Sequence, residues 1–172
     1  WTVFSNFKLT YQGKNPDAMA AVLADLQAKA DAYVHAAEVQ GTNFCMEYYN
    51  NIQKIADEFN ATDDENTKYN GLIAINEELQ KISTSASLYE QLATKLDLAY
   101  SAYWDLLDSV YTQEDVDAFL DEFYNPLTDA MIEGTLTNEQ CEAEIEKIRT
   151  LAAIDIIYVY GDLVNQGWGD YT

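Results

Sequence analysis

From Met19 onward, apolar residues return every three or four positions, and that spacing constrains the fold more than any other feature. Met19, Val22, Leu23, Leu26, Ala30, Tyr33, Val34 and Ala37 draw one stripe along a helix. Asn15 suits its cap, Pro16 its first position and Asp17 the positive end of its dipole, while Gly41 marks its end. A second helix is expected from Thr42 to Phe59, with Cys45, Tyr48, Tyr49, Ile52, Ile55, Ala56 and Phe59 facing inward. Thr62 and Glu65 read as a capping box for a third helix through Tyr69, Leu72, Ile73, Asn76, Leu79 and Ile82. "STSAS" at 83–87 reads as a turn or a kink. A fourth helix is expected from about Ser87 to Tyr111, along Leu88, Leu92, Leu96, Ala99, Tyr103, Leu106, Leu107 and Val110.

Thr112 and Asp115 open a fifth helix, with Val116, Phe119, Leu120 and Phe123 on one face. Pro126 is expected to end or kink it, and Gly134 to terminate the remainder. Thr137 and Gln140 form another capping box, for a last helix reaching about Val164. The expected fold is therefore all-α: an antiparallel bundle of five or six helices over residues 15–166, behind an extended, strand-like N-terminal segment.

A chain of 172 residues fits one medium domain, and its 48% hydrophobic content marks a folded domain and not a disordered acidic tail. The 9 Lys and Arg stand against 30 Asp and Glu, a net charge of −21. Such a field repels phosphate backbones and anionic lipid heads, so it argues against nucleic acid and membrane-surface partners. It leaves room for cationic partners or divalent ions, and it also simply keeps a protein soluble. No apolar run approaches the roughly 20 residues that span a bilayer; the most apolar stretch, Leu151 to Val164, is interrupted by Asp155.

Residues able to carry chemistry are few or unpatterned. His35 is the lone histidine, with no Ser or Cys partner fixed by sequence, and is expected at the solvent or the core edge. Carboxylates abound, yet no short motif marks an acid pair of the glycosidase kind. Asp63 to Asn66 lacks the register of a calcium loop and reads as helix-capping acids. No cofactor is indicated. Cys45 and Cys141 lie 96 positions apart without a CxxC spacing. A disulfide between them would stabilise by about 4–5 kcal/mol in the chain-entropy account, and two buried free thiols fit the helical patterns equally well.

Among the 13 tyrosines, Tyr33, Tyr69 and Tyr103 fall on core spacing. Tyr103 and Trp104 are neighbours and cannot face the same way on a helix, so Trp104, with Trp168, is a candidate for an exposed ring that holds a glycan or peptide. Asn60 begins an N-glycosylation sequon. Asp108-Ser109-Val110 is similar to the short acidic-Ser/Thr-aliphatic O-glycosylation sequon of Bacteroidetes, although it falls inside the expected fourth helix.

The two ends differ from the rest. Thr2, Phe4, Asn6, Lys8 and Thr10 alternate with Val3, Ser5, Phe7, Leu9 and Tyr11, as in a strand with two different faces. Trp1, Phe4, Asn6, Phe7, Leu9, Tyr11 and Gly13 match a W-x-x-F-D/S-N-F-x-L-x-Y-x-G pattern. In this the segment resembles the closing strand of jelly-roll, galactose-binding-like domains in large surface proteins of gut Bacteroidetes. At the other end Gly169, Asp170 and Thr172 are similar to the lead into another such domain. There is neither an initiating Met nor a signal-peptide pattern. The resemblance implies a helical module between two β-sandwich domains of a longer exported polypeptide: 1–14 the remnant of one domain, 15–166 the bundle, 167–172 a linker. It brings no catalytic residues with it.

The expected function is a non-catalytic spacer or interaction module of a secreted or cell-surface protein. Its partners would be the flanking sandwiches. A glycan- or peptide-binding module using Trp104 and Trp168 is the alternative, and an acid-pair enzyme acting on glycans the third.

Overall fold

A computed structural model describes residues 15–41 and 43–165, with side chains described as far as Leu151. The N-terminal strand-like segment, the linker at 167–172 and Trp168 lie outside the described residues.

The chain is all-α: α1 (Pro16–Gln40), α2 (Met46–Ala61), α3 (Glu65–Asp105), α4 (Gln113–Phe119), a π turn (Leu120–Tyr124), α5 (Asn125–Glu133) and α6 (Asn138–Asn165). The start of α1 is built as its residues dictate. The Asn15 side chain accepts from the N–H groups of Asp17 and Ala18 at 3.0 and 3.4 Å, and Gly41 closes the helix in the left-handed region.

The "STSAS" stretch is neither a turn nor a helix end. The expected third and fourth helices are one 41-residue helix, α3, about 60 Å long at 1.5 Å per residue. Ser83, Thr84 and Ser87 sit on its solvent side, where the propensity cost of a hydroxyl residue is only tenths of a kcal/mol. The apolar stripe of Ile75, Ile82, Leu88, Leu92 and Leu96 continues across them and outweighs that cost.

Other boundaries also move. The Thr62–Glu65 box does not form: Asp64 caps α3, accepting from the Thr67 N–H at 2.7 Å, and Thr62 instead accepts from the Asp64 N–H at 3.1 Å. α2 begins at Met46, not Thr42, because Phe44 is drawn fully into the core ahead of it. α3 stops at Asp105, and residues 106–110 turn around the Leu106 carbonyl, which accepts from the N–H groups of Ser109 and Val110. Asp108 adopts φ 65° there, a conformation its short polar side chain tolerates.

The box at Thr137–Gln140 forms as expected, and Thr112 and Asp115 open α4 as expected, joined in a reciprocal box of their own. Pro126 neither ends the helical path nor leaves it regular. The turn before it widens, the Asn125 N–H reaching back five residues to the Leu120 carbonyl. That eases the ring past the carbonyl of Glu122, which it would meet in a regular α-helix. Tyr69, Val22, Ile73 and Val110 were expected on inner faces and are exposed. No residue in the first two turns of α3 is buried, and its buried stripe begins at Leu72.

Two buried clusters divide the bundle. One gathers Met19, Leu23, Leu26 and Ala30 of α1, Ile52, Ala56 and Phe59 of α2, and Leu72, Ile75, Leu79 and Ile82 of α3. The other gathers Leu88, Tyr89, Leu92 and Leu96 of α3, Phe119 of α4, Leu127 of α5, and Cys141 and Ile148 of α6. Short connections make α1 and α2 antiparallel, and likewise α2 and α3. In the second half, Tyr124 meets Asp97 while Leu136 meets Tyr89, so α5 runs against α3 and α6 runs with it. Two three-helix bundles thus stand in series on one shared helix. α1 starts beside the Glu65 end of α3, and α6 passes Tyr103 near the Asp105 end.

Candidate functional site

The densest long-range hydrogen bonding lies where the halves meet, at the middle of α3. The Cys45 N–H donates to Ser85 Oγ at 2.8 Å inside the core. The Met46 N–H donates to the Gly134 carbonyl at 2.8 Å, and Asn43 Nδ2 donates to the carbonyls of Met131 and Ile132 at 3.1 and 3.3 Å. The Tyr48 hydroxyl accepts from the Asn138 N–H at 3.1 Å. The Tyr89 hydroxyl accepts from the Leu136 N–H and donates to the Leu136 carbonyl, both at 3.0 Å. Two phenols and a serine therefore serve the backbone of the 43–46 and 134–138 connections, groups that would otherwise lie close to the core without partners.

Cys45 and Cys141 are buried on either side of this junction as free thiols. Burial pushes the Cys141 thiol up to about 12, with the charge of Cys45 adding to the shift. Burial raises Cys45 as well, and Tyr89 and Tyr48 in the same way. A thiol held neutral is a poor nucleophile and a poor metal ligand.

Outside these bonds the junction opens as a solvent-facing groove of about 600 Å³, its walls formed by the end of α1, Gly41, Asn43, α3 and α5. Tyr89, Ala93, Met131 and Ile132 give it an apolar floor and lip, while Glu90 and Asp97 supply carboxylates; among the described residues no Lys or Arg lines it. Nothing in the sequence marked this groove, since its walls come from three stretches far apart along the chain: Gln40, Gly41 and Asn43, then Tyr89 to Asp97, then Thr128 to Ile132.

The second concavity is aromatic. Tyr103 stacks between Tyr111 and Phe119 with centroids 4.3 Å away on each side, and with Phe123, Asp115, Glu122 and Leu151 they line a pocket of about 210 Å³. Asp115 accepts from both the N–H and the hydroxyl of Thr112, which holds its carboxyl below the usual range. Trp104 is 40% exposed, its ring tilted toward Tyr100 at 6.2 Å. Trp168, the other ring expected to hold a ligand, lies outside the described residues.

His35 is exposed. Among the described residues no group of three or more His, Cys, Asp or Glu is placed to hold a metal ion, and no helix is long and apolar enough to cross a membrane. Asp108 to Val110 lie in the exposed turn after α3, not in a helix interior. No protein family, curated protein or solved structure matches the chain.

Proposed function

We propose that this chain is a non-catalytic helical spacer, a module of a secreted or cell-surface polypeptide that sets the distance between its neighbours. The reading is carried by one observation: α3 runs unbroken through both halves, with α1 starting near one of its ends and α6 leaving near the other. A bundle whose helices shuttle back and forth returns the chain close to its start. Two three-helix units in series on one helix advance it by about 60 Å. The flanking β-sandwiches implied by the end motifs are the neighbours this arrangement would separate, and the net charge of −21 keeps the rod from self-association.

Spin labels on Ala18→Cys and Thr150→Cys, both at exposed positions, test the reading by pulsed dipolar spectroscopy. The buried native thiols would remain unlabelled. A single narrow distance distribution near 50 Å is expected from helix rise; a broad one, or a peak well short of that, would show the halves hinging or folded together and would end the spacer reading.

A further inference from the structure

We propose that the groove at the junction docks a short basic segment of a partner protein, one carrying Lys or Arg beside apolar side chains. This goes beyond the spacer reading and does not depend on it. The volume of about 600 Å³ is that of an ordinary ligand pocket, and three observations fix the chemistry of its occupant.

The first is the charge of the walls. Glu90 and Asp97 line the groove with no cation among the described lining residues, and Asp129 and Glu133 are exposed on the same helix as Thr128, Met131 and Ile132. The second is the backbone. α1 and α5 both end at this groove, each at a left-handed glycine, Gly41 and Gly134, and neither carries a basic residue in its last turn. The α5 end is already hydrogen-bonded, its Met131 and Ile132 carbonyls accepting from Asn43, but neither helix end has the Lys or Arg that usually offsets its negative dipole, and that favours a cation brought from outside. The third is apolar. Ile132 lines the groove and is 67% exposed. Leu98, 66% exposed, continues the Glu90–Thr94 row of α3 at the next four-residue step. Val39, 67% exposed, precedes Gln40 at the α1 wall.

A small inorganic cation would use the carboxylates but not Ile132 and Leu98. A neutral apolar peptide would leave Glu90, Asp97 and both helix ends without a counter-charge. A second copy of this chain brings another −21 charges against the same acids. The basic, partly apolar segment meets all three features.

The test uses the full chain and three fluorescent nine-residue peptides: alternating Lys and Leu, alternating Glu and Leu, and alternating Lys and Ser. Only the Lys/Leu peptide is expected to bind measurably below 1 mM, with affinity falling as salt rises. Methyl shifts on binding are expected at Met131, Ile132 and Leu98. The double variant Glu90→Gln with Asp97→Asn should weaken binding roughly tenfold, as for two exposed charge pairs, and Ile132→Ser should weaken it at unchanged salt dependence. The control pair Asp25→Asn with Glu58→Gln, exposed on α1 and α2 away from the groove, should leave binding unchanged. The proposal is overturned if no peptide binds, if the Lys/Ser or Glu/Leu peptide binds equally well, or if the control pair weakens binding as much as the groove pair. Concentration-dependent self-association that moves the same methyl groups would instead make the occupant a second copy.

Discussion

Gly134 and Gly41 adopt the same left-handed backbone, at φ 67° and 71°, and close helices in the same way. Their surroundings separate them. A Cβ on Gly41 meets nothing within 4 Å, whereas one on Gly134 would stand 2.7 Å from the Phe44 carbonyl oxygen and 2.8 Å from Met46 Cγ. Gly41→Ala should therefore cost only the backbone penalty, about 1–2 kcal/mol. Gly134→Ala adds a clash with a backbone oxygen beside the buried Phe44 and should cost more than about 3 kcal/mol; urea denaturation of the two variants side by side measures the gap. Equal losses would mean that the 43–46 connection yields freely. The cysteines carry a second residue-scale expectation. Cys141 has a folded pKa of about 12 against an ordinary 9.0. A folded value above the unfolded one means stability that is whole below about pH 9 and lost as pH climbs toward 12. The urea midpoint should fall across that window, less steeply in Cys141→Ala; a part of the slope remains in the variant because burial also raises Tyr89 and Tyr48. Below pH 9 a thiol reagent should modify neither cysteine until the chain unfolds, and rapid native labelling would contradict the burial.

At the scale of elements, what could be read from the chain was whatever neighbours along the chain decide. The caps at Asn15, Thr112 and Thr137 and the stops at Gly41 and Gly134 depend on residues within five positions, and all stand where local chemistry places them. The failures fall where a distant group decides. Ser85 looks like a helix breaker until its hydroxyl is seen accepting the N–H of Cys45, 40 residues away. Phe44 looks like the first turn of a helix until the core takes it. Tyr69 has the spacing of a core residue, yet it is 44% exposed, and the buried stripe of α3 begins at Leu72. Pro126 acted one turn upstream, by widening the helix and not by ending it. The groove was illegible for the same reason: its carboxylates sit on α3, its apolar lip on α5 and its glycine just past the end of α1, so no window of sequence contains it.

Whether the whole molecule behaves as one rod depends on how firmly the halves are coupled. Two kinds of link cross the junction: the covalent continuity of α3, and the side-chain and backbone bonds from residues 43–48 to residues 131–138. Thr84 tests the first without touching the second, for it is exposed and its side chain serves neither cluster. Thr84→Pro removes the bond from its N–H to the Gln80 carbonyl and drives the ring against that oxygen, a cost of about 3 kcal/mol in a helix interior. If the continuous helix is what couples the halves, the wild-type chain unfolds in one transition and the variant in two. Hydrogen exchange should then distinguish α1 and α2 from α4 to α6, since each half keeps its own apolar cluster and can open alone. The spin-label distance between positions 18 and 150 should broaden in the same variant. A Thr84→Pro chain that loses stability yet still unfolds in one step, with its distance distribution unchanged, would assign the coupling to the bonds of the junction. Rigidity would then reside in the Tyr48 and Asn43 contacts beside the groove, where a docked segment would be best placed to alter it.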